Sequence, residues 1–294
     1  MEQDYSNVVK KIKVRVTMLH IYNETSPLTD LCVCLGSAVP QFDSYRNDPK
    51  QLKNFKMLPW NKAKLLKQQQ QFFEVMSQYG VNLHFVNHSD VHPWQMYTRD
   101  TGFVIHNKFY FSRNRELTER VGEIELLRQS IPTLLDQDMI EIIQGKIEGG
   151  DVLIDEDTVY VGISDRTTLD AVTELAQYVK VTPIYLGTSV MHLDTRMTIL
   201  PGQQLLIYPS AFLKADLNIL KTRFTLIEVT EAEALMMGTN VFVINPTTVI
   251  LHSSFIRIAR LIESVGIKVE QIDYSEPNAL LGSFRCATLP LARL

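Results

Sequence analysis

From residue 103 onward the apolar positions cycle through one pattern: two short β-rich runs, a helical segment, then another β-rich run. "GFVIHNKFYFS" leads to a helix near 116–130 and then to "MIEIIQ". "DVLIDEDTVYVGI" leads to a helix near 167–179 and "VTPIYLG", and "MTILPGQQLLIYP" to a helix near 210–220 and "FTLIEV". "VFVINPTTVILHS" leads to a helix near 254–265 and "KVEQID". Earlier, "KVRVTML" and "DLCVCLG" read as the two strands of another unit. Its helix over 61–79 places Leu65, Phe72, Met76 and Tyr79 on one face before Gly80 ends it, and "VNLHFV" closes the unit. The "KQQQQ" run of that helix reads as a solvated outer face.

Five such units define an α/β chain built from ββαβ repeats. One unit cannot bury its sheet face alone, so the five must stack or close into a ring, and a closed ring leaves no exposed sheet edge. The polar stretch over residues 40–60 reads as a loop inserted in the first unit, in the position of a lid; otherwise residues 1–294 form a single domain.

Composition narrows the partners. At 294 residues, 45% hydrophobic and 21% charged, the chain can bury a sizeable core. A net charge of −4 and the short basic patch at Lys10, Lys11, Lys13 and Arg15 argue against a nucleic-acid surface and leave a small polar ligand as the expected partner. No window reaches the roughly 18 consecutive apolar residues of a membrane span, and the N-terminal stretch lacks a signal-peptide core, so the expected setting is cytoplasmic. A homodimer is left open. The three cysteines form an odd set, with Cys32 and Cys34 alternating on one strand face as small buried hydrophobes. No Cys or His lies at a zinc-ligand spacing, so no metal and no cofactor are expected.

The unusual polar residues fall at equivalent places in the repeat. Asp100 of "YTRD" precedes the first strand of the second unit, Glu148 of "IEGGD" that of the third, and His192 and Asp194 of "MHLDT" that of the fourth. Cys286 precedes "ATLPL", a further strand that would complete the first unit and close the ring. If the units are related by rotation, these residues converge on one axis. Gly149 and Gly150 would let the backbone beside Glu148 approach a ligand or adopt positive φ.

Three carboxylates in one pocket repel one another unless a cation sits among them. No lysine accompanies them and Arg99 is expected to point away, so the missing cation is the substrate. A planar, forked guanidinium matches carboxylates pairwise, with Asp100 and Asp194 as the grip. A thiol of ordinary pKa, about 8.5, is mostly neutral at pH 7, and a bound guanidinium or protonated His192 would favour its thiolate. Cys286 could then attack the guanidinium carbon, with His192, oriented by Glu148, as general acid and base.

"TRD" (98–100), "EGGD" (148–151), "HLD" (192–194) and the final "RC" and "PL" (285–291) resemble, in order, the motifs of the guanidino-group-modifying enzymes: arginine deiminase, dimethylarginine dimethylaminohydrolase and the amidinotransferases. The resemblance covers most of the chain from about residue 96. It implies a five-bladed ββαβ pseudo-symmetric propeller of the pentein type. It also implies Cys286 as nucleophile, His192 as acid/base, Glu148 as its partner, and Asp100 and Asp194 as guanidinium-binding acids. "YVGISDRT" (160–167) is similar to the family segment that holds the substrate's α-carboxylate, which implies Arg166 as the clamp, with Arg113 or Arg115 of "SRNRE" as a second.

The chain has no room for the helical insertion usual in arginine deiminases, whereas "HLD" is unlike the dimethylaminohydrolases. The leaving group therefore stays open between ammonia, an alkylamine, and transfer to an acceptor amine. Two other classes compete. One is a thiol protease or amidase, in which three acids around the thiol would have no role. The other is a non-catalytic binding protein, which the presence of both Cys286 and His192 disfavours.

Overall fold

The computed structural model describes residues 18–42, 59–113, 120–131, 139–187 and 190–294. Its strands form five sheets of three, and in each the middle strand pairs antiparallel with one neighbour and parallel with the other. The first sheet joins β1 (Leu28–Val33) and β2 (Asn82–Phe85) to β15 (Leu289–Arg293) at the far end of the chain. The second holds β3 (Gly102–Ile105), β4 (Lys108–Phe111) and β5 (Met139–Glu141), and the third β6 (Val152–Asp155), β7 (Thr158–Ile163) and β8 (Val181–Tyr185). The fourth holds β9 (Met197–Leu200), β10 (Gln204–Ile207) and β11 (Thr225–Glu228), and the fifth β12 (Phe242–Asn245), β13 (Thr248–His252) and β14 (Lys268–Ile272).

The parallel partner in each sheet must be reached by a crossover, and helices supply it. These are α1 (Lys62–Gln78), α2 (Glu123–Ser130), α3 (Leu169–Leu175), α4 (Lys214–Arg223) and α6 (Ile256–Ser264). Two shorter helices, α5 (Glu231–Leu235) and α7 (Ser275–Ala279), lie in connections to which periodicity assigns no element, because a helix of little more than one turn leaves no periodic signature. Tight hairpins join the antiparallel pairs of the second to fifth sheets. Between β3 and β4 the turn residue His106 takes φ 55°, and between β6 and β7 Glu156 takes φ 53°, the left-handed conformation that two-residue hairpin turns demand.

Two strand assignments need correction or limits. "KVRVTML" falls mostly outside the described residues, and Met18 and Leu19 carry no strand; the antiparallel partner of "LCVCLG" is β15, with Leu31 opposite Pro290 and Cys32 opposite Leu289. The C-terminal strand thus completes the first unit, as the repeat required. Of the predicted inserted loop, residues 43–58 lie outside the described residues, while its ends meet through Trp60 Nε1 donating to Pro40 O at 2.9 Å.

Four strands are apolar without alternation because both faces are covered: every residue of β3, β9, β13 and β15 is buried, whereas the outer parallel strands β5, β8, β11 and β14 are partly exposed. The core divides into clusters that straddle neighbouring sheets. One packs the first three sheets, another the third against the fourth, another the fourth against the fifth, and the last returns from the fifth to the first. The five sheets therefore enclose a continuous circuit. Each fully buried Leu or Phe in it contributes about 1.5–3 kcal/mol.

Helix α1 shows how a sequence reading of polarity can mislead. Asn61 caps it, accepting from Lys64 N at 2.9 Å, and Gly80 at φ +76° follows its end. Leu65, Phe72 and Met76 are buried, as the pattern predicts, but "KQQQQ" is a solvated face only at Lys67, Gln70 and Gln71. Gln68 and Gln69 are buried, Gln69 bonding Gly36 N at 2.7 Å and Cys34 O at 3.2 Å, Gln68 bonding Glu276 N at 2.9 Å and Ser275 Oγ at 3.0 Å. An amide supplies both donor and acceptor, so it can replace water at buried backbone groups.

Candidate active site

The turns before the first strands of neighbouring sheets touch one another. Three share a local bond: Thr101 Oγ1 donates to Thr98 O at 2.7 Å, Thr195 Oγ1 to His192 O at 2.7 Å, and Thr288 Oγ1 to Arg285 O at 2.8 Å. "TRDT", "HLDT" and "RCAT" are thus one recurring turn. That shared threonine was a legible sequence signal of equivalence that motif reading passed over. Arg99 N donates to Cys286 O at 3.2 Å, which joins the second turn to the C-terminal one.

Gly149 and Gly150 are needed for close approach to protein, not to a ligand. A Cβ at Gly149 would lie 2.3 Å from Arg99 O, and one at Gly150 2.7 Å from the His192 ring. Neither residue has positive φ. Their absent side chains let the second, third and fourth turns converge.

The predicted residues come together as follows. His192 Nε2 lies 2.6 Å from Glu148 Oε2, and His192 Nδ1 lies 3.9 Å from Asp100 Oδ1. Burial favours a neutral ring, yet Asp100, the bond to Glu148 and Asp151 together raise the His192 pKa to about 10. Burial would raise Glu148 as well, but its bond to His192 and the charges of His192, Arg166 and Arg120 hold it down to about 2. At neutral pH the pair is imidazolium and carboxylate.

Asp194 is fully buried, and burial pushes its pKa up to about 6 against the pull of Arg285, His192 and Arg99. Neither of its carboxylate oxygens accepts a hydrogen bond; Oδ2 lies 3.4 Å from Arg285 Nε. Asp100 Oδ1 likewise accepts none. Cys286 is 5% exposed, and burial followed by the negative charge of Asp194 and Asp100 pushes its thiol well above the ordinary range. It is a neutral thiol until a positive charge arrives.

Arg166 reaches Glu148, Nη1 to Oε2 at 3.6 Å, and Asp165 at 3.6 Å. Arg113 enters through its backbone: its N–H donates to Ile147 O at 2.8 Å, beside Glu148. Arg115 lies outside the described residues.

The expectation that no protein cation accompanies the acids is overturned. Arg99 does turn away into the core, but Arg120 Nη1 donates to Asp100 Oδ2 at 2.6 Å while its Nε donates to Glu123 Oε2 at 2.8 Å. Arg120 lies 20 residues beyond Asp100, next to the start of α2, at no spacing a sequence pattern would flag. Asp100 is thereby divided, with one oxygen held by Arg120 and the other unclaimed. Asn240 was also missed. It occupies the turn before β12, the one turn to which motif reading gave no residue; its amide bonds the Asp194 and Cys286 turns.

A second charge cluster lies behind the site. Glu24 accepts from Arg285 Nη1 at 2.6 Å and Nη2 at 3.0 Å, and Arg285 Nη2 also donates to Val152 O at 2.9 Å. This fork fixes the residue preceding the thiol. Cys32 and Cys34 are free and buried among apolar neighbours, where burial raises both thiols; they are packing groups.

Among the described residues, Asp100, Glu148 and His192 offer donor atoms within 4.8 Å of one another, close enough to hold a metal ion. The same acids that could hold an ion raise the His192 pKa, so the set can equally act as a proton carrier beside a cation-binding acid. Among the described residues no helix is long and apolar enough to cross a membrane.

Comparison with known proteins places this geometry. The arginine deiminase family model matches residues 92–225, the span holding Asp100, Glu148, His192 and Asp194. The chain is 34% identical to the uncharacterized protein YkgA of Bacillus subtilis over 77% of its own length and 79% of that protein. It is 30% identical to an arginine deiminase of Listeria monocytogenes over 68% of its length, and spans only 62% of that enzyme. Among solved structures, the N-terminal domain of ArgZ superposes with a TM-score of 0.77 at 21% identity, over 90% of this chain and 98% of that one. SxtG, an amidinotransferase from Microseira wollei, gives 0.78 at 16% identity, over 94% and 97%. The chain belongs to the family of YkgA, and its own arginine deiminase matches place it in the guanidino-group-modifying superfamily.

Proposed function

We propose that the protein hydrolyses the guanidino C–N bond of arginine or a related, including methylated, guanidino amino acid through a covalent Cys286 intermediate. The observation that carries this reading is the pairing of a protonated His192 on Glu148 with unclaimed buried oxygens of Asp100 and Asp194 beside a thiol. Those oxygens would bind a guanidinium, and its charge would replace the missing counter-ion of the thiolate. Arg166 and, more weakly, Arg113 are the candidate partners for a substrate carboxylate. The arginine deiminase relatives, and ArgZ, described as an arginine dihydrolase of the ornithine-ammonia cycle in cyanobacteria, support an arginine-like substrate.

The steps balance without a cofactor. On guanidinium binding the Cys286 thiol loses its proton to solvent, and the thiolate Sγ bonds to the guanidinium carbon. His192 gives its proton to the departing nitrogen, the C–N bond breaks, and ammonia or an alkylamine leaves an S-amidino enzyme. Neutral His192, held by Glu148, takes a proton from water as the water attacks the same carbon. Breaking the C–S bond then returns the thiolate and releases a ureido product. A reducing, cytoplasmic setting suits this use of a free thiol.

A carbonyl substrate fits less well. Acyl transfer needs N–H donors for an oxyanion, and the Cys286 N–H is already committed to Asn240 Oδ1 at 3.2 Å. Attack on a guanidinium discharges a cation and needs no such hole. The alternative within the superfamily is attack by an amine in place of water, giving a new guanidino compound, and the SxtG-like fold is compatible with it.

The test is incubation with arginine, methylated arginines, agmatine and guanidino acids, with and without glycine or ornithine. Ureido product without an acceptor, and a Cys286 adduct by mass spectrometry, are expected. Product that requires the acceptor amine would reassign the protein as a transferase. Absence of product and adduct across the panel would overturn the guanidino reading.

A further inference from the structure

Four of the five turns around the circuit supply the thiol, imidazole and acids; the turn before β12 supplies Asn240. Its side chain is 1% exposed, and its hydrogen bonds go to neighbouring turns. Nδ2 donates to Asp194 O at 3.1 Å, while Oδ1 accepts from Arg285 N at 3.1 Å and from Cys286 N at 3.2 Å. One amide therefore ties the backbone of the thiol to the backbone of the acid.

We propose that Asn240 is a positioning residue that fixes Cys286 relative to Asp194, and so the line of attack on a substrate held by Asp194. This rests on the chemistry proposed above. Three features support it. An Asn amide presents N–H donors on one atom and an oxygen with two lone pairs on another, so it can reach a carbonyl on one side and two N–H groups on the other, as these three backbone groups require. Its own backbone is anchored on the Asp194 side: Thr239 Oγ1 donates to Thr195 O at 2.7 Å, and Thr198 Oγ1 to Thr239 O at 2.6 Å. On the far side, the Cys286 turn is held by Arg99 N to Cys286 O at 3.2 Å and Ala287 N to Ser283 O at 3.0 Å. Asn240 is the rivet between two turns that are each rigid. By occupying the Cys286 N–H it also withdraws the donor a carbonyl substrate would need, which makes it a determinant of substrate class.

The experiment compares Asn240→Ala and Asn240→Asp with the wild type on the guanidino substrate the wild type turns over best, alongside iodoacetamide alkylation of Cys286 without substrate. Asn240→Ala is expected to lower kcat by about 10- to 100-fold, with KM little changed because the gripping acids remain, and to alter the alkylation rate. Asn240→Asp keeps both accepted N–H bonds but turns a carboxylate oxygen toward Asp194 O in place of the donor, so kcat should fall here as well; it decides the matter if the alanine variant does not fold. Wild-type kcat and alkylation rate in a folded variant, or a lowered melting temperature with kcat unchanged, would overturn the proposal. Wild-type protein inert toward every guanidino compound would defeat the proposed chemistry instead, and the alkylation rates would still report the hold of Asn240 on Cys286.

Discussion

Glu148 Oε2 and His192 Nε2 lie 2.6 Å apart inside the protein, one held down to about pKa 2 and the other raised to about 10. The bond orients the ring, turns Nδ1 toward Asp100 and keeps a proton on the imidazole. Glu148→Gln removes the charge while keeping the shape. It should lower kcat by roughly 10²-fold or more, the usual worth of a general acid, with substrate affinity largely retained. Steady-state kinetics on the best substrate check this, and a variant with unchanged kcat would remove Glu148 from the proton path.

Cys286→Ser should abolish turnover and adduct formation while preserving substrate binding by calorimetry, since the hydroxyl is a far weaker nucleophile than a thiolate. Alkylation of Cys286 should abolish turnover too, whereas Cys32 and Cys34, both fully buried, should react only on unfolding.

The pH dependence follows from Asp194, whose carboxyl is pushed up to about 6. Protonated, it cannot pair with a guanidinium, so kcat/KM should fall as pH drops through about 6. A bound guanidinium favours the carboxylate, so the acid limb of kcat should lie at lower pH than that of kcat/KM. His192 remains charged across this range, since its pKa is raised to about 10, and does not supply that limb. Asp194→Asn should remove the limb and raise KM; a limb unmoved by the substitution would assign it elsewhere.

The five-unit circuit was legible because the first two strands of most units are apolar runs covered on both faces, and each crossover helix has its own period. The acids, imidazole and thiol were legible because "TRD", "EGGD", "HLD" and "RC" mark equivalent turns. Arg120, Asn240 and Gln68 were not. Their roles come from contacts 20, 46 and 208 residues away along the chain, to Asp100, Cys286 and Glu276, and nothing in their own neighbourhoods distinguishes them from surface residues. A buried polar residue is chosen by the groups it must satisfy, and those are visible only once the turns are brought together.

Arg120 gives a prediction that separates binding from chemistry. It neutralises Asp100 and Glu123 at once, so Arg120→Met leaves two nearly buried carboxylates facing each other. Breaking such a pair costs about 3–5 kcal/mol, partly relieved as Glu123, already raised by burial, takes up a proton. Lower stability in urea is expected together with a raised KM, because the free oxygen of Asp100 loses its orientation. A variant of unchanged stability and KM would show that the pair does not set the geometry of Asp100.

The Glu24–Arg285 fork should govern acid stability independently of catalysis. Burial opposes the Glu24 carboxylate, but the charge and bonds of Arg285, with Arg99 and Arg293 behind, depress its pKa from 4.5 to about 2. A depressed acid contributes its stability in full above the unfolded value and loses it as pH falls from about 4.5 toward 2. Glu24→Gln should therefore be destabilised at neutral pH by about 3–5 kcal/mol, since Arg285 is left buried without its counter-charge. The deficit should shrink as pH falls through that window, because the wild type loses the same contribution there. Urea unfolding at a series of pH values measures both. Because Arg285 precedes Cys286, the folded variant should also show a lower kcat, and one that kept wild-type turnover would show that the fork stabilises the fold without holding the thiol in place.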